Sequence, residues 1–154
     1  MIYRGNPEAT HFLNVDLDIY SRLSLQPLVS ALGKKVFVLH AGREKRTYCA
    51  HLELTRITKN ADATIRAFCA LIESLPTAER ELWNMAKVRD FNIGVQAEAR
   101  PHSHETALAV ETVKAASEVG ARIVFTVYAP EGHGRRRAVV KADSKKAPMS
   151  TRIG

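Results

Sequence analysis

The sequence predicts an α+β fold, a mostly antiparallel sheet with helices collected on one side in a two-layer sandwich. Three observations predict it. Strict two-residue alternation of apolar and polar side chains recurs along the chain, as in Phe12 to Tyr20 and Ala121 to Tyr128. Between these stretches, apolar residues recur at helical steps of three and four, and the helical stretches stop at Gly33, Pro76 and Gly120. One pair of strands is joined only by AGREK, a connection short enough for an antiparallel hairpin.

In order, Phe12 to Tyr20 (FLNVDLDIY) is the first strand. Leu13, Val15, Leu17 and Ile19 face one way, and Asn14, Asp16, Asp18 and Tyr20 the other. Ser21 or Ser24 caps a helix whose stripe is Leu25, Leu28, Val29 and Leu32. Pro27 falls in its first turn, where the missing N–H costs little. Lys35 to His40 is the second strand. Arg46 to Leu54 is the third, with Tyr48, Ala50, Leu52 and Leu54 opposite Thr47, Cys49, His51 and Glu53. Asn60 caps a long helix striped by Ile65, Phe68, Ile72 and Leu75. Thr77 caps a short one that carries Trp83, the single tryptophan, as a core anchor. Val88 to Ala97 is the fourth strand, and Gly94 within it marks a bulge or a close backbone approach. The closing unit, Leu108 to Tyr128, is a helix with Val110, Val113 and Ala116 to Ser117 as its buried stripe, then a strand burying Ala121, Ile123, Phe125 and Val127.

The order β-α-β-β-α-β-α-β begins with the split βαβ, or ferredoxin-like, pattern and adds a C-terminal αβ unit. The stretches FLNVDLDIYSRLSLQPLVSALG, ELW, VRDFNIGV and LAVETVKAASEVGARIVFTVY resemble a family of small bacterial proteins catalogued only as a domain of unknown function. The resemblance spans roughly residues 11 to 128. It implies bacterial origin and a fold, and it supplies no catalytic residue. One departure is Ala109, where Ser or Asp is expected as the cap before VETV.

A chain of 154 residues with 45% hydrophobic and 25% charged residues fits one globular domain, here expected at 11–129. No apolar run approaches the roughly 20 residues of a membrane span, and MIYRGNPEAT lacks the apolar core of a signal peptide. Cys49 and Cys69 read as buried thiols, so the expected compartment is the cytoplasm. The net charge of +7 is concentrated at residues 130–154, where seven Lys and Arg stand against Glu131 and Asp143. That segment reads as a basic, disordered tail, and nucleic acid is expected as a partner only through it.

The alternation leaves a polar sheet face that includes Asp16, Asp18, His51, Glu53, Asp90, Asn92, Gln96, Arg122 and Tyr128. These are the candidate residues of a ligand or partner face. The leading expectation is a non-enzymatic interaction or ligand-binding module, using this face or a sheet edge, with a protein partner or a second copy. The alternative is a metal-dependent enzyme or small-ligand binder built on Asp16, Asp18, His51, Glu53 and Asp90. Asp16 and Asp18 lie on one strand face roughly 7 Å apart, and His51 or Asp90 could complete an oxygen-rich divalent site. His102 and His104 lack a third ligand nearby. No nucleophile elbow, phosphate loop, dinucleotide glycine pattern, CxxC pair or HExxH helix occurs, and no catalytic residue, cofactor or metal site is assigned.

Overall fold

The computed structural model describes residues 9–130. The basic tail, and with it the nucleic-acid alternative, lies outside the described residues apart from Pro130. The elements run β1 (His11–Ser21), α1 (Gln26–Leu32), β2 (Val36–Glu44), β3 (Thr47–Leu54), α2 (Ala61–Glu73), α3 (Thr77–Met85), β4 (Val88–Gln96), α4 (Val110–Glu118) and β5 (Arg122–Tyr128). The sheet order is β2-β3-β1-β4-β5. Every neighbouring pair is antiparallel except β4 and β5, which are parallel. The fold is therefore α+β with a mixed, mostly antiparallel five-stranded sheet. No helix among the described residues is long and apolar enough to cross a membrane.

One sheet face carries the core. Val15, Leu17 and Ile19 of β1, Ala50 and Leu52 of β3, and Phe91, Ile93 and Val95 of β4 form a single cluster with side chains of all four helices. Leu17 pairs with both Leu52 and Phe91, so the register aligns the apolar set of three strands. The stripe of α2, including Ile65, Phe68 and Ile72, is buried against it, with Phe68 stacked on Phe91 at 5.8 Å between ring centroids. Trp83 is fully buried, and its indole N–H donates to the Val119 carbonyl at 2.7 Å. Asn60 caps α2 as expected, its side-chain oxygen accepting from the Ala63 amide at 2.9 Å. Gly33 and Gly120 take positive φ at the ends of α1 and α4.

Several sequence expectations are corrected. Strand β2 continues to Glu44, four residues beyond His40, and the hairpin turns tightly at Lys45, whose φ is 54°. A bulge falls between Val38 and His40. No side chain caps α3, and at α1 the capping position is Leu25, with the Ser24 hydroxyl one residue earlier accepting from the Gln26 amide at 3.3 Å. In α4 the buried positions are Thr112 and Ala116, whereas Val110 and Val113 are exposed. Small side chains line the packed stripe, and two valines face out. Its start is capped from α2, where Asp62 Oδ1 accepts from the Ala109 amide at 2.8 Å. In β5, Phe125 and Val127 are 54% and 64% exposed rather than buried. A nine-residue α4 is about 13 Å long and a seven-residue β5 about 23 Å, so the helix cannot cover the strand's length. Gly94 answers to a close approach: it pairs with Asn14 beside a β1 bulge, and an added Cβ would lie 3.0 Å from Asn14 Oδ1.

Candidate functional site

Alternation on β1 sends Asn14, Asp16, Asp18 and Tyr20 away from the core, onto the sheet face that the helices leave open. Pairing then decides what each meets. Asp18 stands opposite His51 on β3 and opposite Asp90 on β4, while Asp16 stands opposite Asn92. Directly opposed carboxylates repel. Asp18 and Asp90 therefore turn to different partners. Asp90 accepts two hydrogen bonds from Arg122 of β5, from Nε and Nη2, both at 2.7 Å. This is the bidentate geometry that suits guanidinium and carboxylate.

Asp18 takes His51 instead, Oδ1 to Nδ1 at 2.6 Å, and its Oδ2 accepts from Asn92 Nδ2 at 3.3 Å. Asn92 Oδ1 in turn accepts from the Thr126 hydroxyl at 2.7 Å. An ionised carboxylate only accepts, so the proton of a neutral His51 ring belongs on Nδ1 and leaves Nε2 as an acceptor. The Tyr20 hydroxyl is 3.4 Å from that Nε2. Burial, followed by the Asp18 charge, pushes the Tyr20 phenol above its usual range, which keeps it a donor. Tyr20, His51 and Asp18 thus form a chain of oriented polar groups.

A second cluster lies further along β1. Asn14 Nδ2 donates to Asp16 Oδ1 at 3.0 Å and also to Glu53. Burial pushes the Asp16 carboxyl from 3.8 up to about 7; the charges of Glu53 and Asp18 add to the shift and His51 opposes it. Close to neutral pH, then, this face holds one carboxyl that exchanges a proton readily, beside an oriented imidazole. Such groups can bind a polar ligand or move a proton, and perturbed carboxyls of this kind occur both at functional sites and in structural networks.

Of the residues singled out from sequence, Asp16, Asp18, His51, Glu53, Asp90, Asn92 and Arg122 share the open face. Gln96 and Tyr128 pair at its far end, where Gln96 Nε2 donates to the Ala129 carbonyl at 3.0 Å, apart from the Asp18–His51 chain. The structure adds Asn14, Tyr20 and Thr126, which the alternation had placed on this face without a role. It also adds His40, Glu44 and Cys49 at the β2–β3 end, whose donor atoms lie within 4.8 Å of one another. Both cysteines are free and buried. Comparison with protein-family models, with curated proteins and with solved structures returned no match.

Proposed function

We propose that this chain is a protein-interaction module that pairs through the outer edge of β5, with a second copy of itself as the partner. The observation that supports this is the composition of that edge. From Ile123 to Tyr128 the strand carries no charged residue, and Phe125, Val127 and Tyr128 are each about half exposed or more. Single exposed apolar residues need no explanation, but an uncharged edge strand with several is a template for pairing. The other edge, β2, also exposes Phe37, Val38 and Leu39, but a bulge falls among them and the charged residues Arg43 and Glu44 follow, both of which discourage pairing. The uncharged stretch is also self-complementary, because a two-fold antiparallel pairing centred within it places no like charges together.

Sedimentation velocity over a concentration series tests this reading. The wild type should sediment as a concentration-dependent dimer. Val127→Lys should sediment as a monomer, with an unchanged melting temperature at concentrations low enough for the wild type to be monomeric too, since a half-exposed edge residue contributes little to the core. A wild type that is monomeric at every concentration contradicts the reading.

The strand order β2-β3-β1-β4 with antiparallel neighbours supports reading the first six elements as a ferredoxin-like split βαβ unit, with α4 and β5 added at its edge. A second reading, of a small-ligand binder or an enzyme on the open face, is favoured by the Tyr20–His51–Asp18 chain beside Asp16. A fragment screen followed by NMR would then find ligands whose shifts cluster on Asp16, Asp18 and His51 and vanish in Asp18→Asn. Shifts scattered over the surface would count against it.

A further inference from the structure

We propose that His40, Glu44 and Cys49 form a zinc-binding site where β2 and β3 meet at the end of the open face. Their donor atoms all lie within 4.8 Å of one another, and His40 Nε2 is already 3.4 Å from Glu44 Oε1. Zinc holds nitrogen, oxygen and sulfur ligands at about 2.0–2.3 Å, which in a tetrahedron puts neighbouring donors about 3.5 Å apart. Side-chain rotation closes the remaining distance, because the His40 and Glu44 side chains are 54% and 62% exposed and free to turn.

The backbone places the three together for identifiable reasons. Phe37 stands opposite Glu53, on the open face. Strict alternation from Phe37 would send His40 to the helix side. The bulge between Val38 and His40 shifts the strand by one residue, so His40 stands opposite His51 and the open-face set becomes His40, Gly42 and Glu44. Gly42 then matters for what it lacks. It lies between His40 and Glu44 on their face and pairs with Cys49 of β3. With no side chain on Gly42, the space between them stays open, and the Cys49 sulfur faces the gap from the neighbouring strand.

The chemistry of the set selects the metal class. A thiolate, an imidazole and a carboxylate suit zinc, whereas magnesium and calcium prefer oxygen alone. Three protein ligands leave a fourth position for water, as in open zinc sites. The imidazole next to His40 is that of His51, whose ring centroid is 5.9 Å away and whose Nδ1 is held by Asp18. This site is distinct from the Asp16–Glu53 cluster and does not depend on self-pairing through β5.

Cobalt titration of the full-length, metal-stripped protein tests it, because a thiolate bound to Co²⁺ gives a charge-transfer band in the near ultraviolet. The wild type should show that band, and Zn²⁺ should displace it. Cys49→Ser should abolish the band, and His40→Ala and Glu44→Gln should each weaken binding by at least about tenfold, the scale of losing an interaction at a metal site. Gly42→Val keeps every ligand but fills the gap, and should block binding. An added Cβ at Gly42 meets nothing within 4 Å, so the fold should tolerate it, as thermal unfolding with a chelator present will check. Cobalt held by His102, His104 or His133 gives no thiolate band. A wild type without the band, a band that survives Cys49→Ser, or unchanged affinity in Gly42→Val would overturn the proposal.

Discussion

Burial, and after it the charges of Glu53 and Asp18, raise the Asp16 carboxyl to about 7. Because its folded value lies above its unfolded value of 3.8, the folded state holds a proton that the unfolded chain has released across that interval. Stability from this residue therefore falls as pH rises from about 4 through 7, and the loss is complete above. Asp16→Asn removes the ionisation and keeps an acceptor for Asn14. In urea unfolding at a series of pH values, the variant should gain stability relative to wild type between pH 5 and 8. A constant difference across that range would mean that Asp16 ionises freely in the folded protein. The residues of this face were legible in the sequence wherever alternation is unbroken, as on β3 and on β1 from Asn14 onward. His40 and Glu44 were not, because a one-residue bulge at Leu39 decides their face, and nothing in KVFVLHAGRE marks where the bulge falls.

At the scale of elements, α4 and β5 show where periodicity misleads. The helix offers two stripes, one through Val110 and Val113, the other through Thr112, Ala116 and Val119, and the structure buries the second. Hydrophobicity favours the first. Close packing favours the second, because small side chains let α4 approach α2 and the sheet. The missing cap at Ala109 was visible in the sequence, but its replacement, Asp62 of α2, was not, since only the folded chain brings the two together. Asp62→Ala should therefore cost about 1–2 kcal/mol in urea unfolding, the size of a lost helix cap, while Glu111→Ala in the same first turn should cost much less. Equal costs would argue that the Asp62–Ala109 bond does not hold the helix start. Strand β5 was readable as a strand, but its burial depends on the relative lengths of α4 and β5. Phe125→Ala should cost about 1 kcal/mol or less. Phe91→Ala on the central strand β4, fully buried against Phe68, should cost on the order of 3–5 kcal/mol. A Phe125 cost as large as that of Phe91 would place β5 in the core.

The whole molecule has two sheet faces and two sheet edges, and they differ in how completely they are satisfied. One face is packed under helices. The open face is bound up in polar contacts of its own, the Arg122–Asp90 pair and a chain from Thr126 through Asn92 and Asp18 to His51 and Tyr20. The β2 edge exposes Phe37, Val38 and Leu39, but a bulge interrupts it there and Arg43 and Glu44 follow. The β5 edge exposes Phe125, Val127 and Tyr128 on an outer strand that is regular and carries no charge from Ile123 to Tyr128. Amide hydrogen exchange across a protein-concentration series reads this most directly, since the β5 amides that face outward gain partners only if the edge pairs. Protection within Ile123 to Tyr128 should rise with concentration while that of β2 stays constant, and Val127→Lys should remove the rise. Exchange in β5 that is fast and independent of concentration would contradict it.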